Sequence, residues 1–232
     1  MQARSRLLTR LKLVLVNHTS LRGGLDLIRG GVDEAGIPLN DDDLAEQLLL
    51  LLFAGYETTA SSLSCLFRAL LTNPTVHDWL LSELDHPSSE DPEDLSYPRL
   101  DATVLEVMRL TPPVGGFFRR TKGPVMLAGI EVPDNRVIQV VLTASATGDD
   151  PDLSAFRPQR HLDRSFQQTL MPFGGGERVC LGKALADLEI RLMAVGLLKK
   201  IELKLEPNQD LSLQQIPSPT PRGGLVVTSR RR

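Results

Sequence analysis

The feature that most constrains the fold is a long stretch without proline that begins after Asn40 and runs to Pro74. Asn40 is a favourable N-cap residue, and the three aspartates that follow it suit the first turn of a helix, where the macrodipole favours negative charge. Pro74 ends the pattern, because a proline disfavours helical backbone in the residue before it. The sequence therefore predicts one helix from about Asp41 to about Thr72, on the order of 45 Å long.

The middle of this predicted helix is apolar on all sides from Leu48 to Phe53. A helix of that kind is expected inside a large domain. Gly55, Glu57 and Thr58 then interrupt the apolar run. From the helix alone, the preferred interpretation is a bent core helix whose polar groups satisfy one another.

A second feature is the glycine-rich run from Phe173 to Gly182, which contains Cys180 and precedes a helical pattern from Lys183 to Lys200. A cysteine near a helix N-terminus has its thiolate favoured, and glycines let backbone amides approach the sulfur. Arg178 adds positive charge. Two interpretations stay open at this point: a thiolate that binds a metal cofactor, or an inert cysteine in an ordinary turn. The run contains no second cysteine for a redox disulfide and no Cys/His cluster for zinc.

Composition excludes some classes of function. The chain has 232 residues and a net charge of −3 from 26 basic and 29 acidic side chains, so charge gives no attraction for nucleic acid. Two cysteines in unlike contexts suit a reducing compartment, and we expect a cytoplasmic protein. The start of the chain has no signal-peptide pattern. The longest apolar run, residues 48–54, is shorter than the roughly 20 residues of a membrane span, so none is expected in this chain.

The remaining pattern predicts a mainly α protein with small β-sheets, an α+β fold. A helix over Asp101 to Leu110 carries Glu106 and Arg109, a pair that has to be fully hydrogen-bonded if it is buried. Residues 125–141 predict a hairpin whose strands are joined by a turn at 133–135. Short strands are expected at 201–205, 211–213 and 224–228.

The spacing Phe173-x-x-Gly176-x-Arg178-x-Cys180-x-Gly182 resembles, position for position, the haem-binding loop of the cytochrome P450 family. The resemblance implies that Cys180 is the axial thiolate ligand of the iron of haem b. It also implies that Phe173 shields the sulfur and that Arg178 binds a haem propionate. Gly174 and Gly176 are implied as cofactor-binding residues of the same loop.

The run Gly55-Tyr56-Glu57-Thr58-Thr59 resembles the distal haem-pocket helix of the same family. By that resemblance Gly55 lies at the cofactor, and Glu57 and Thr58 are the catalytic residues that handle protons for dioxygen activation. Neighbouring residues diverge on a helix, so Thr58 is expected to face the iron and Glu57 a solvent channel.

Glu106-x-x-Arg109 resembles another motif of the family, in which a second arginine comes from a Phe-x-Pro-Glu-Arg-Phe segment. The corresponding residues are 156–161: Phe156, Pro158 and Arg160 match, whereas Gln159 and His161 depart. The resemblance implies a structural triad of Glu106, Arg109 and Arg160 beneath the haem, without a catalytic role.

The segment after Pro113 supplies the remaining implied site residues. Arg119 aligns with an arginine that binds a haem propionate, and Arg120 takes its place if the register shifts by one residue. Val114, Phe117 and Phe118 are implied to line the substrate pocket.

The resemblance implies a haem-dependent monooxygenase that inserts one oxygen atom of O2 into a C–H bond of a small apolar substrate. Electrons would come from NAD(P)H through a ferredoxin or flavoprotein partner. The closest resemblance is to retinoic acid hydroxylases and their bacterial relatives, which suggests a retinoid-like substrate. Residues 1–232 are expected to be the C-terminal part of a single cytochrome P450 domain, with one long central helix and without the N-terminal half.

Two alternatives remain beside this prediction. One is a truncated, catalytically inactive remnant that binds haem weakly or not at all. The other is an isomerase-type haem-thiolate enzyme that needs no dioxygen, against which the presence of Glu57 and Thr58 argues.

Overall fold

The computed structural model describes residues 2–17, 24–86, 96–143, 151–163, 165–166 and 169–232. Its helices are α1 (Gln2–Asn17), α2 (Gly24–Arg29), α3 (Asp41–Thr72), α4 (Pro74–Asp85), α5 (Pro98–Leu110), the short α6 (Pro151–Ser154) and α7 (Lys183–Lys200). Its strands are β1 (Gly116–Arg120), β2 (Val125–Leu127), β3 (Ile130–Val132), β4 (Val137–Val141), β5 (Ile201–Leu205), β6 (Leu213–Gln214), β7 (Thr220–Pro221) and β8 (Val227–Arg231). The prediction of a mainly α protein with small sheets is confirmed.

The chain divides into two compact units, residues 1–57 and residues 58–232, and the division falls within α3. The predicted limits of α3 are confirmed at both ends. At its start, the side-chain oxygen of Asn40 accepts hydrogen bonds from the backbone N–H groups of Asp42 and Asp43, at 2.9 and 3.0 Å. These bonds satisfy two of the donors that a helix N-terminus leaves free.

In the first unit, a small core forms around Leu11, Leu15, Leu44 and Ala45, where α1 packs on the start of α3. Further along α3, the side chains of residues 50–53 are 42 to 65% exposed. The expectation that this part of the helix is buried on all sides is therefore wrong. Burial on all sides needs a partner on every side, and a sequence pattern does not supply the partners.

Among the described residues, α3 is the helix whose length and apolar composition would let it cross a membrane. The expectation of no span rested on the short run 48–54, whereas the whole helix meets the criterion. Core helices of soluble proteins have the same length and composition. These two properties therefore do not decide between the two environments.

The second unit has its core between the end of α3, α4, α5 and α7. The most deeply buried apolar side chains there include Leu66, Leu70, Leu80, Leu100 and Ile190, all at most 1% exposed. Each helix contributes an apolar face of this kind, which is what fixes the direction in which its polar residues point.

Four two-stranded antiparallel sheets accompany this core: β1–β4, β2–β3, β5–β8 and β6–β7. The predicted hairpin over 125–141 is wrong in its pairing, because β3 pairs with β2 and β4 pairs with β1. The tight turn is Ala128-Gly129, where both residues have positive φ, as hairpin turns of two residues require. The strand expected at 211–213 is β6, and the one expected at 224–228 is β8, shifted towards the C-terminus.

Candidate functional site

The cysteine loop, defined here as residues 169–182, lies directly before α7. The Cys180 N–H donates to the Phe173 carbonyl oxygen at 2.9 Å, which closes the loop on itself. Gly174 and Gly176 have φ of +72° and +67°, a region that side chains with a Cβ rarely adopt. The glycines therefore allow the turn that brings Cys180 back to Phe173.

The side chains around the cysteine are open to solvent. Cys180 is exposed, and its neighbours Val179 and Leu181 are 50 and 89% exposed. Arg178 is exposed as well. Phe173 instead packs against the core of the second unit, and the Lys183 ammonium lies 5.3 Å from the centre of its ring. The structure thus presents a thiol on an accessible apolar surface.

Strand β1 brings one of the two predicted arginines to this loop. Arg119 Nη2 donates to the Gly175 carbonyl oxygen at 3.4 Å, and its guanidinium lies 4.4 Å from the centre of the Phe117 ring. Arg120 instead donates to Asn135 at 2.8 Å. Because successive strand residues point to opposite faces, the register places Arg119 and not Arg120 at the cysteine loop.

Of the predicted substrate-pocket residues, Phe117 contacts the Arg119 guanidinium with its ring. Val114 and Phe118 are 51 and 63% exposed, and Phe117 is half-buried. The remaining predicted residues lie in the middle of α3: Glu57 and Thr58 are half-buried, and a Cβ added to Gly55 would meet nothing within 4 Å. The helix continues through this point without interruption.

The predicted structural triad is brought together as one buried cluster. Arg109 donates to both carboxylate oxygens of Glu106, from Nε to Oε2 at 2.8 Å and from Nη2 to Oε1 at 2.9 Å. Arg160 Nε donates to Oε1 at 3.0 Å, and its other nitrogens bind Asp152. The side chains of Glu106, Arg109 and Arg160 are at most 2% exposed. Ionised groups so deeply buried persist only when hydrogen bonds replace the lost water, as they do here.

Two further groups complete this cluster. The Arg157 backbone N–H donates to Glu106 Oε1 at 3.0 Å, and His161 Nε2 lies 2.7 Å from Oε2. Burial alone would raise the pKa of Glu106, but the hydrogen bonds from Arg109, His161 and Arg157 outweigh it and lower the pKa to about 2. Glu106 is therefore a carboxylate at neutral pH.

The contact of His161 was missed by sequence reasoning, which recorded this residue only as a departure from the family pattern. The sequence contained one chemical signal for this contact. His161 follows Arg160, which was predicted to bind the buried Glu106 carboxylate, and an imidazole N–H can donate to the same carboxylate.

A cavity of about 340 Å³ lies between α5, the cysteine loop and α7. Val104, Met108 and Phe173 contribute to its apolar lining, and the Asp101–Arg191 ion pair, 2.7 Å between Oδ1 and Nε, is at its edge. The cavity thus separates part of the cysteine loop from α5 and α7.

The family model described as cytochrome P450 matches residues 10–230 of the chain. The chain belongs to the cytochrome P450 family. A putative cytochrome P450 120 from Synechocystis sp. is 35% identical over 214 residues, which are 88% of this chain and 48% of that protein. Cytochrome P450 26B1 from Danio rerio is 32% identical over 88% of this chain and 43% of its own length.

The solved structures agree with the sequence comparison. Cyanobacterial CYP120A1 with bound retinoic acid matches with a TM-score of 0.87 and 32% identity, over 100% of this chain and 57% of that one. A cytochrome P450 named CYP102L1 matches with a TM-score of 0.84 and 25% identity. The chain spans about half the length of the curated relatives that it matches.

Membership of the cytochrome P450 family implies a haem cofactor, and the cysteine loop fits one. Cys180 offers one accessible thiol flanked by exposed apolar side chains, and it would hold the iron of a haem through its sulfur. Over the part of the chain that the structure describes, no group of three or more His, Cys, Asp or Glu residues is placed to hold a metal ion. Cys180 is thus a single thiol donor at this surface of the described chain.

Proposed function

We propose that this chain provides the haem-thiolate centre of a monooxygenase acting on a small apolar organic substrate. The observation that carries the proposal is the exposed Cys180 thiol at the end of a glycine loop that closes on Phe173, in a member of the cytochrome P450 family. Bound haem supplies dioxygen activation: one oxygen atom enters a C–H bond, the other leaves as water, and two electrons and two protons are consumed.

The residues of the chain have separate parts in this proposal. Cys180 Sγ would hold the iron. The guanidinium groups of Arg119 and Arg178 bind the haem propionates, since guanidinium matches carboxylate geometry. Val114, Phe117 and Phe118 contribute apolar surface towards the substrate.

Proton handling is assigned to α3. Thr58 Oγ1 can donate and accept a proton, and the Glu57 carboxylate can relay protons from water. Gly55, without a side chain, leaves room for the cofactor at the same part of the helix. These assignments rest on the resemblance of residues 55–59 to the distal helix of the family.

We further propose a retinoid-like substrate, an electron-donating ferredoxin or flavoprotein partner supplied by NAD(P)H, and a cytoplasmic location. The substrate class is supported by the similarity to CYP120A1, which is described with retinoic acid bound. The location is supported by the two free cysteines.

A second candidate is a catalytically inactive remnant that binds haem weakly or not at all. It is favoured by a specific observation: apolar side chains just before α7 and along it are 49 to 89% exposed, namely Leu181, Leu185, Leu192 and Met193. A pocket with so open a wall would retain an apolar cofactor poorly.

The experiment is a haem titration of the purified chain, read by the difference spectrum of the reduced protein with carbon monoxide. A thiolate-type Soret band in a one-to-one ratio with protein supports the haem-thiolate proposal. Cys180→Ala should abolish this band, whereas the matched control Cys65→Ala, which changes the other and buried cysteine, should retain it. No band in the unchanged protein would favour the inactive remnant, and a band that persists in Cys180→Ala would show that Cys180 is not the ligand.

A further inference from the structure

We propose that His161 is a positioning residue of the Glu106 cluster: its imidazole Nε2–H holds the second carboxylate oxygen and fixes residues 157–163 and Phe166 ahead of the cysteine loop. This is a role of the polypeptide itself and holds whether or not haem binds. Its failure is therefore distinguishable from failure of the haem-thiolate proposal.

The argument begins with how donors are shared between the two oxygens of Glu106. Oε1 accepts from Arg109 Nη2, from the Arg157 backbone N–H and from Arg160 Nε. Oε2 accepts from Arg109 Nε and has His161 Nε2 at 2.7 Å. A carboxylate has about four acceptor sites. Without His161, Oε2 would keep one of these donors while Oε1 kept three.

The chemistry of Glu106 determines which nitrogen of His161 carries a proton. The carboxylate is ionised at neutral pH and can only accept hydrogen bonds. A contact of 2.7 Å is thus stable only if Nε2 donates. The aromatic residue that the family pattern has at this position cannot donate in this way.

Phe166 extends this contact to the next part of the chain. The ring of His161 packs edge-on against Phe166, with the centroids 5.5 Å apart and an interplanar angle of 69°. The guanidinium carbon of Arg109 lies 5.5 Å from the centre of the same Phe166 ring. Glu106, His161, Phe166 and Arg109 therefore form a closed circle of contacts, which ties His161 and Phe166 to α5 at positions before the cysteine loop.

The charged groups of this network come from three elements. His161 contacts Glu106 of α5, which also binds Arg109 of α5 and Arg160, and Arg157 and Arg160 in turn pair with Asp152 of α6. The side chain of His161 is 6% exposed. The imidazole thus meets one carboxylate directly, with two guanidinium groups bound to that same carboxylate.

The first test uses the unchanged protein. Nitrogen-15 NMR of the imidazole at neutral pH should show His161 with a proton on Nε2. A neutral ring with the proton on Nδ1 and a bare Nε2 would overturn the proposal, and this outcome does not depend on any variant folding.

The second test compares His161→Phe, which restores the aromatic ring of the family pattern without a donor, with His161→Gln, which keeps a side-chain N–H. The measurement is hydrogen exchange at the Arg157 amide, which donates to Glu106. In His161→Phe the Arg157 amide keeps its bond to Oε1, but the cluster loses one hydrogen bond to a charged group. We therefore expect the cluster to open more readily and this amide to exchange faster by about tenfold. His161→Gln should recover most of the protection, because it restores the donor.

The control is His77→Gln, which replaces a half-buried histidine in α4 and should leave the Arg157 amide unchanged. Equal protection in His161→Phe and the unchanged protein, or equal loss in His161→Phe and His161→Gln, would show that His161 only fills space. If His161→Phe does not fold, the NMR test decides.

Discussion

The Glu106 cluster and the cysteine loop belong to the same unit of the chain, but they differ in the solvent exposure of their polar side chains. In the cluster, Glu106, Arg109 and Arg160 are withdrawn from water, and donors of this chain surround the carboxylate. In the loop, the hydrogen bond at Cys180 joins backbone groups, while the thiol faces solvent. The chain thus satisfies the buried Glu106 carboxylate with its own donors and leaves the Cys180 thiol accessible to a ligand.

The largest effect is expected from Glu106→Gln. The variant leaves the guanidinium groups of Arg109 and Arg160 buried without their carboxylate, which should lower the free energy of unfolding by about 3–5 kcal/mol. Urea denaturation followed by circular dichroism measures this loss. The matched control is Glu202→Gln, whose partner Arg230 is exposed, and it should leave the unfolding midpoint nearly unchanged. Equal effects in the two variants would contradict the description of Glu106 as a buried anchor.

The next effect is on the pH dependence of stability. The pKa of Glu106 is lowered from 4.5 to about 2 on folding, so its stabilisation is complete above about pH 4.5 and is lost as the pH falls towards 2. We expect the free energy of unfolding to fall over this range in the unchanged protein. The fall should be shallower in Glu106→Gln, where, among the described residues, the carboxylates Asp163, Glu202 and Asp210, whose pKa values are also lowered, still contribute. Parallel pH profiles of the two proteins would contradict the prediction.

A smaller effect is expected from Gly116→Ala in β1, the strand that carries Arg119 to the cysteine loop. A Cβ at Gly116 would lie 2.2 Å from the Val140 carbonyl oxygen, so the strand pair has to shift, at a cost of about 1–3 kcal/mol. Gly115→Ala is the matched control, because a Cβ there meets nothing within 4 Å. Thermal unfolding of both variants measures the difference, and an equal melting temperature would show that β1 accommodates the methyl group.

The smallest effect on stability is expected from Cys180→Ala, within about 0.5 kcal/mol, because the side chain is exposed. The same exposure should make Cys180 react with a thiol reagent in the folded protein. Cys65 is 2% exposed, and burial raises the pKa of its thiol, so it should react only on unfolding. Fast labelling of both cysteines, measured by mass spectrometry over time, would contradict the difference in accessibility.

Sequence reasoning succeeded where a local signal determines the structure. The ends of α3 follow from the Asn40 cap and from Pro74, and the predicted limits of α7 agree with the structure at both ends. Glu106, Arg109 and Arg160 could be grouped because their spacing resembles a family motif, and the structure places them together.

It failed where the outcome depends on residues distant in sequence. The exposure of Phe53 depends on which residues pack against α3. Strand β4 pairs with β1, although β3 is closer to β4 in sequence. The role of His161 was missed for a related reason. A residue that departs from a family pattern does not reveal which residue it contacts, and here the contact is Glu106, 55 residues away in sequence.

The positions of the five Glu106 donors in the sequence also determine the order in which the cluster can form during folding. Arg109 lies in the same helix and can pair with Glu106 as soon as α5 forms, but Arg157, Arg160 and His161 are made 51 to 55 residues later. Since burying a carboxylate with incomplete partners is costly, α5 must keep Glu106 hydrated until that later segment has left the ribosome. We therefore expect the final docking of α5 to follow translation of Arg157, Arg160 and His161.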